Sequence, residues 1–467
     1  MSNARHGRCG QKSLGQRGDR SVERIVFLQP RTLAGDNYLN SNREEQRWAP
    51  WAALLLSPTV LRAGYSVALI DARVSASTWL KQVEELAASD LLAVSVMTGH
   101  AIRDAVQASQ IARERGSRVI WGGPHVTLFP QQTLRQAPVD AVLPGFGYGP
   151  LTELMVFLEK GEWPSAHTGG VFVHTDPSWP RMIPVPRGKR LAGDALDAPA
   201  LDLVGDWRPY LNADIAIADR TVNFITSEGC ERRCTYCSEP RTSGMRWLTR
   251  DVQNSVAVAK ELITRSGANG LKLHDPNFFH DMPRALAFAH RFSKAVGLPW
   301  AATMHPADLA AVAGSVLDEL AQLGLARVLV GLESPDPKLV KLAAKEYDPA
   351  TIPQLVSKLA NARIRGMFTF IVGWPDAPVD HYSRTIDCAF SIRKIWDEHQ
   401  AKLHFLEPWP GTPIFNLMVR RGFQHPATLS QWADIDYYQA RYAAIHDQTK
   451  VREVRAANSA LSPYVDA

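Results

Sequence analysis

The chain has little cysteine, no long apolar run and no internal repeat, and each absence narrows what it can be. Five cysteines among 467 residues, three of them within eight positions, do not make a disulfide framework. That usage fits a reducing compartment, so a cytoplasmic location is expected. The apolar stretch Trp51 to Leu61 is broken by Ser57 and Pro58. It falls short of the about 20 residues a bilayer requires, so no membrane span is expected. The early basic residues Arg5, Arg8, Lys12, Arg17, Arg20 and Arg24 are not followed by an apolar run of about 7 to 15 residues, which argues against a secretory signal. Residues 1–24 read instead as a solvated basic tail. No appended basic domain with interleaved aromatics is evident, so no nucleic-acid partner is expected.

What is present is ample material for more than one core. A length of 467 residues with 45% hydrophobic and 21% charged content predicts two or three globular domains. From residue 25, short apolar runs alternate with helical segments: Ile25 to Leu28, Ser66 to Ile70, Leu91 to Val96 and Arg118 to Trp121 are the runs. Thr78 to Ala88 and Ala101 to Arg115 are two of the intervening helices. Continuous apolar strands separated by helices indicate a parallel sheet covered on both faces. Residues 25–175 therefore read as a doubly wound domain whose ligand lies at the carboxyl ends of its strands. Residues 176–220 hold six prolines and little periodicity, and read as a linker.

A second alternating series begins at Thr221 to Thr226. It continues through Gly270 to His274, Trp300 to Thr303, Arg327 to Gly331, Met367 to Val372 and Leu403 to Leu406. About six strand–helix units over residues 221–415 predict a partial (β/α)6 barrel, with its chemistry at the carboxyl ends. Residues 416–467 read as a helical C-terminal extension, with Trp432, Tyr437, Tyr438 and Tyr442 serving helix packing rather than a substrate platform.

The densest chemical signal is Cys230-Glu-Arg-Arg-Cys234-Thr-Tyr-Cys237, at the end of the second domain's first strand. Three thiolates at spacings of four and three fit a tight loop around a [4Fe–4S] cubane, leaving one iron open. A zinc site would favour four ligands in paired spacings, with His274 as a conceivable fourth, and three unrelated free thiols are the remaining alternative. Cys9 lies in the tail, and Cys388 sits in a predicted helix as a small hydrophobe. His305, in Thr303-Met-His-Pro306, follows a barrel strand and points to the mouth, either as a satisfied structural histidine or in a substrate or proton-transfer role. Asp275 and Asn277 end another strand, in a sequence that is also a sound turn.

The C-x3-C-x2-C triplet with Tyr236 before its last cysteine resembles the radical S-adenosylmethionine superfamily. Ser227-Glu-Gly-Cys230, Ser238-Glu-Pro240, Gly244-Met-Arg-Trp247, His274 to Phe279, Val330-Gly-Leu-Glu-Ser334, Ile371-Val-Gly-Trp-Pro375 and Pro408 to Pro413 follow in order. Together they resemble the subgroup with an N-terminal cobalamin-binding domain. The resemblance implies an α/β protein: a Rossmann-like cobalamin-type domain, a partial radical S-adenosylmethionine barrel and a helical extension. It implies Cys230, Cys234 and Cys237 as cluster ligands, and S-adenosylmethionine contacts from Tyr236, Asp275, Asn277, Glu333 and Ser334. It further implies a 5′-deoxyadenosyl radical, a small-molecule substrate and a flavodoxin- or ferredoxin-type electron donor. Gly122-Gly-Pro-His-Val-Thr127, with Ser95, Thr98 and His125, resembles the loop set against the corrin ring.

Two departures bear on that cofactor. Asp71-Ala-Arg-Val-Ser-Ala76 stands where corrinoid enzymes with a histidine–cobalt bond carry Asp-x-His-x-x-Gly, and Arg73 has no lone pair for a metal. Arg73 either crowds the lower face of the corrin or pairs with a surface carboxylate. Gly145-Phe-Gly-Tyr148 stands where the subgroup shows Gly-Glu-Gly-Glu. With cobalamin, the resemblance implies C-methylation. Without it, the same radical would drive diol dehydration of a sugar or aminoglycoside, as a lyase of antibiotic biosynthesis, or a ring-forming rearrangement. Phe27 to Pro30, Arg43-Glu44 and Trp48 resemble a branch acting on a hopanoid-linked ribose. A non-catalytic metal-cluster scaffold is the reading from a different class.

Overall fold

The computed structural model describes residues 22–32, 47–174, 197–214, 216–435 and 447–461. Most of the basic tail, Cys9, four of the six linker prolines, Arg43, Glu44, Tyr437, Tyr438 and Tyr442 lie outside the described residues.

The first sheet is built as the apolar runs predict. Its strands are β1 (Arg24–Gln29), β2 (Ser66–Asp71), β3 (Asp90–Ser95), β4 (Arg118–Gly122), β5 (Ala141–Leu143) and β6 (Phe172–Val173). Their order is β2-β1-β3-β4-β5-β6, parallel except for β6, which pairs antiparallel with β5. Connecting helices are α1 (Trp51–Arg62), α2 (Trp79–Glu84), α3 (Ala101–Glu114), α4 (Pro124–Leu128), α5 (Pro130–Gln136) and α6 (Tyr148–Glu159). The strands carry buried side chains on both faces, which is why they read as unbroken apolar runs. The chain reverses its winding between β1 and β3, the switch point at which open α/β sheets bind ligands. Helix α2 is shorter than the sequence suggests. Glu85 closes it, and the Ala87 N–H turns to the Asp90 carboxylate (2.8 Å) instead of continuing the helical ladder.

The second sheet is a curled half-barrel ordered β15-β14-β13-β12-β11-β8-β7. Its strands are β7 (Asn212–Asp214), β8 (Ala218–Phe224), β11 (Gly270–Leu273), β12 (Trp300–Met304), β13 (Leu325–Glu333), β14 (Arg365–Val372) and β15 (Gln400–Phe405). The six expected strands are present and parallel. The seventh, β7, is an antiparallel edge strand drawn from the segment expected to be linker. A two-stranded ribbon, β9 (Ser227–Glu228) with β10 (Leu248–Thr249), brackets the cysteine loop and α7 (Glu239–Thr242). The outer layer is α8 (Val252–Ser266), α9 (Met282–Ala295), α10 (Pro306–Ala311), α11 (Gly314–Gln322), α12 (Pro337–Ala343), α13 (Ile352–Asn361) and α14 (His381–Ile395).

Helix α1 serves both sheets. Ala53 and Val60 enter the core of the first, while Trp51 and Leu54 enter the core of the second, the Trp51 ring lying 5.3 Å from Phe224. After α15 (Pro413–Arg420), the C-terminal extension divides rather than forming one cap. Helix α16 (Leu429–Ala433) docks on α3 and α5 of the first domain, burying Trp432 against Phe129 at 4.5 Å. Helix α17 (Gln448–Leu461) packs on α14 and β15. Trp432 thus does serve packing, but in the core of the N-terminal sheet. Among the described residues no helix is long and apolar enough to cross a membrane.

Candidate active site between the two sheets

The loops at the carboxyl ends of the two sheets meet. Tyr148, after β5, donates its hydroxyl to Glu228 Oε2 at 2.7 Å, two residues before the first cysteine. Phe146 lies against Gly229, and the Arg246 guanidinium sits 5.6 Å over the Phe146 ring. Helix α4, after the Gly-Gly turn, packs on α7, which follows the cysteines. Gly229 has φ +82°, and any side chain there would collide with the Arg246 carbonyl, so glycine is required by both conformation and space. The residues that replace the expected pair of carboxylates in Gly145-Phe-Gly-Tyr148 therefore seal the junction. Burial pushes Glu228 up to about 7, against the lowering effect of the Tyr148 hydrogen bond and of Arg250.

The cysteine loop is fixed at three points. Asp275, at the end of β11, accepts the Thr226 N–H (2.8 Å) and the hydroxyls of Thr226 and Ser227 (both 2.6 Å). Thr235 donates its N–H to Ala343 O (3.1 Å) and its hydroxyl to Leu342 O (2.6 Å), at the end of α12. Its own carbonyl accepts the Ile414 N–H (3.1 Å), at the start of α15. Cys234 is buried, Cys230 and Cys237 are half-buried, and all three are free thiols. Burial raises each of them, Cys237 to about 12. Such thiols ionise only when a cation offsets the desolvation. Three soft donors from one anchored loop fit an iron–sulfur cubane, whose irons supply that charge. His274 does not complete a zinc set: its ring lies 4.3 Å from Trp48, with Nδ1 3.5 Å from Asn223 Nδ2. Among the described residues no three His, Cys, Asp or Glu side chains converge as a single-ion site requires. Cys388 lies in α14, remote in sequence from the triplet.

Beside the cysteines, Tyr236 donates its hydroxyl to Glu333 Oε1 at 2.6 Å, and Lys345 Nζ reaches the same oxygen at 3.0 Å. Glu333 ends β13 at φ +66°, a left-handed conformation that turns its carboxylate back over Gly331, where a side chain would collide with it. It thus bridges the Tyr236 hydroxyl and the Lys345 ammonium. Burial lowers the affinity of Lys345 for its proton, but Glu333 outweighs that and holds the ammonium charged. Ser334 is buried, with its hydroxyl accepting the Asp336 N–H (3.1 Å). Sequence reasoning missed Lys345, because nothing in Ala343-Ala-Lys-Glu346 marks it, and only the fold brings it to Glu333.

Asp275 and Asn277 are positioning groups. The Asp275 oxygens are taken by the loop, while Asn277 joins Asp308 (2.8 Å) to the His305 N–H (3.2 Å). His305 caps α10 by accepting the Ala307 N–H on Nδ1 (3.3 Å), which leaves the proton on Nε2. That Nε2 is buried without a partner among the described residues. Burial, then Lys345 and Arg232, pushes His305 down to about 2, so it stays a neutral donor. Nδ1 thus fills the structural role expected of His305.

In the first domain, the Val96 N–H donates to Gly122 O (2.9 Å), and the His125 N–H donates to Val96 O (3.0 Å). Gly123 has φ +93° and ψ −178°, and a Cβ there would stand 2.8 Å from Val96 N and 3.1 Å from Ser95 Oγ. The second glycine is thus required by loop-on-loop packing within the protein itself, where the sequence suggested approach to a ligand. His125 is fully buried, with Nδ1 3.0 Å from Thr98 Oγ1 and its ring 5.3 Å from Phe129. Arg73 does pair with a carboxylate, but a buried one rather than one at the surface. It is buried in a two-point pair with Asp71 (2.9 and 2.6 Å) and also donates to Trp48 O (2.9 Å), while Tyr210 donates to Asp71 at 2.8 Å. At the carboxyl ends of β3 and β5, Met97 exposes an apolar side chain and Gly145 has nothing within 4 Å of a would-be Cβ.

Comparison with known proteins agrees with this geometry. Residues 224–389 match the radical SAM superfamily and residues 45–155 match the B12 binding domain. The chain thus carries a radical SAM domain preceded by a B12-binding domain, which imply a [4Fe–4S] cluster, S-adenosylmethionine and cobalamin as cofactors. It is methyltransferase-like. It is 24% identical over 401 residues to an uncharacterized methyltransferase of Pyrococcus horikoshii, covering 83% of this chain and 82% of that protein. It is also 24% identical to cytidylyl-2-hydroxyethylphosphonate methyltransferase of Streptomyces wedmorensis, over 65% of this chain and 61% of that one. In fold it is similar to the methyltransferase TsrM of Kitasatospora setae, with a TM-score of 0.67 and 17% identity, covering 85% of this chain and 76% of that one. The cobalamin-dependent enzyme OxsB aligns with a TM-score of 0.60 and 14% identity, over 94% of this chain and 58% of that one.

Proposed function

We propose that this enzyme methylates a carbon atom of a small molecule held between the two sheets, after a hydrogen atom is abstracted from that carbon. The observation that carries the reading is the junction of the carboxyl-end loops, Tyr148 on Glu228 and α4 on α7. It supports a reading in which the cobalamin side and the cysteine side face the same substrate. When bound, the cluster and S-adenosylmethionine supply a 5′-deoxyadenosyl radical, and cobalamin supplies the methyl group. Cys230, Cys234 and Cys237 would hold three irons. Tyr236, Glu333 and Ser334 would line the S-adenosylmethionine side, where Lys345 holds the Glu333 carboxylate in place. Ser95, Thr98, Gly122 and Gly123 shape the cobalamin side. The buried Nε2–H of His305, unpartnered among the described residues, would be free to donate a hydrogen bond to a bound group and, being neutral, would not serve as an acid.

Small-molecule substrates are supported by the relative that acts on a cytidylyl phosphonate and by the tryptophan bound in TsrM. The reductant is a one-electron carrier of the flavodoxin or ferredoxin type. The test is anaerobic reconstitution, followed by incubation with S-adenosylmethionine, hydroxocobalamin and a strong reductant. S-adenosylhomocysteine in stoichiometry with 5′-deoxyadenosine supports methyl transfer. 5′-Deoxyadenosine alone, with no corrinoid retained, overturns it in favour of dehydration or rearrangement.

A further inference from the structure

Strained backbone is concentrated at one place beside the cysteine loop. Among the described residues six non-glycine residues have positive φ, and three of them are Glu333 (+66°), Ala344 (+53°) and Glu346 (+32°). Glu333 ends β13, and the other two flank Lys345 just after α12. A non-glycine residue holds that conformation only where its surroundings enforce it. Ala344 stops α12, and the Lys345 N–H turns back to Val340 O (3.2 Å). The Lys345 side chain is buried, its Nζ 3.0 Å from Glu333 Oε1 and 5.9 Å over the Tyr236 ring. A buried ion pair is weak evidence of added stability, so strain on both of its arms needs another reason.

Toward the cysteines the two charges of the pair do not cancel. Tyr236 stands between Cys234 and Cys237 in the chain, and its hydroxyl donates to the same Glu333 oxygen that the ammonium reaches. Burial raises the Cys234 thiol, and of the charges acting on it Lys345 lowers it more than Glu333 raises it. At Cys237 burial again raises the thiol, Glu239 adds to that, and Lys345 opposes it. The positive end of the pair is therefore the end whose field the thiols feel. Neighbouring groups leave that field in place. Arg232 is committed to Asp308 and, at 2.7 Å, to Glu346, while His305 is neutral.

We propose that Lys345 places a fixed positive charge beside the cysteine loop that eases reduction of the bound cluster, and that Glu333 moderates it. The inference rests on the reading of Cys230, Cys234 and Cys237 as cluster ligands. One electron passes from the reduced flavodoxin- or ferredoxin-type carrier to the cluster, adding one negative charge there, while no bond or proton moves. A positive charge in a water-poor surrounding stabilises that added charge and raises the potential. Lys345 is thus a positioning residue that acts through its field, and the backbone strain on either side of it keeps the ammonium inside.

The test is a redox titration of the reconstituted full-length protein, followed by electron paramagnetic resonance. S-adenosylmethionine is left out, so that contacts to it do not enter the comparison. Lys345→Met should shift the cluster potential to a more negative value and Glu333→Gln to a less negative one. Lys345→Arg, which keeps the charge, should stay close to wild type. Loss of a merely structural pair would move both charge-removing variants the same way. Shifts of one sign in Lys345→Met and Glu333→Gln, or no shift in either, would therefore overturn the proposal. If Lys345→Met takes up no iron, Glu333→Gln decides: a less negative potential supports the proposal, and any other result overturns it. Iron per chain and 5′-deoxyadenosine are measured on the same preparations. Iron uptake and cleavage with unmoved potentials remove only this inference, whereas a wild-type protein that assembles no cluster removes the reading beneath it as well.

Discussion

Replacing Gly123 by alanine isolates a steric demand that two neighbouring glycines do not share. Gly123 sits at φ +93° and ψ −178°, a region essentially confined to glycine, and forcing an L-residue there costs about 2 kcal/mol. Its new Cβ would also press on Val96 N at 2.8 Å and Val96 O at 3.0 Å, both backbone atoms that cannot swing aside. Overlap of that kind adds about 1–3 kcal/mol, for a total of about 3–5 kcal/mol. Gly145 is the control. It too has positive φ (+87°) and lies in the same mouth, but nothing stands within 4 Å of its would-be Cβ. Gly145→Ala should therefore cost only about 1 kcal/mol. The readout is hydrogen exchange by mass spectrometry on peptides covering residues 91–128, because the Val96 and His125 amides belong to the affected loops. At about 1.4 kcal/mol per factor of ten, Gly123→Ala should lower protection there about a hundredfold or more, and Gly145→Ala about fivefold. Equal losses in the two variants would show that loop packing does not fix the second glycine.

Further outcomes follow from the buried polar groups. Arg73→Met leaves the buried Asp71 without its cation, answered only by neutral donors such as the Tyr210 hydroxyl and the residue-73 N–H, and should lower stability by about 3 kcal/mol, read from the urea midpoint. An unchanged midpoint would mean the pair is solvated. Asp275→Asn cannot accept all three donors of Thr226 and Ser227, so the cysteine loop should bind less iron on reconstitution, measured as iron per chain. Wild-type iron content would show that Asp275 does not position the loop. Burial holds His399 at about 4, with the Gly366 N–H donating to Nδ1 at 2.9 Å. Its folded value lies below the unfolded value of about 6.5, so the neutral form's contribution is complete above pH 6.5 and fades as pH falls toward 4. Between pH 7 and pH 5 that group should cost about 2 kcal/mol. Thermal melts at both pH values should show His399→Asn, which keeps an acceptor near Nδ1, losing less stability than wild type.

What the sequence revealed was what is local in the chain. The parallel strands are buried on both faces, so Leu91 to Val96 or Met367 to Val372 announce themselves as continuous apolar runs. The cysteines announce themselves because their loop must close within eight residues. Features that depend on distant partners were silent. Strand β7 is a three-residue antiparallel edge beside proline-rich chain, with no periodicity to betray it. Lys345 acquires meaning only 3.0 Å from Glu333, and Glu228 only beneath the Tyr148 hydroxyl. Arg73 read as a blocked metal position, whereas its guanidinium had a buried partner two residues away. Trp432 gave an aromatic signal but not its address, which lies across the molecule against Phe129.

The account stands most directly on electron paramagnetic resonance of the reduced, reconstituted protein. A [4Fe–4S] cluster on Cys230, Cys234 and Cys237 with one open iron predicts a half-spin signal whose g-values shift when S-adenosylmethionine is added. The signal should vanish in each cysteine-to-alanine variant. A signal indifferent to S-adenosylmethionine, or one that survives loss of any of the three thiols, would contradict it.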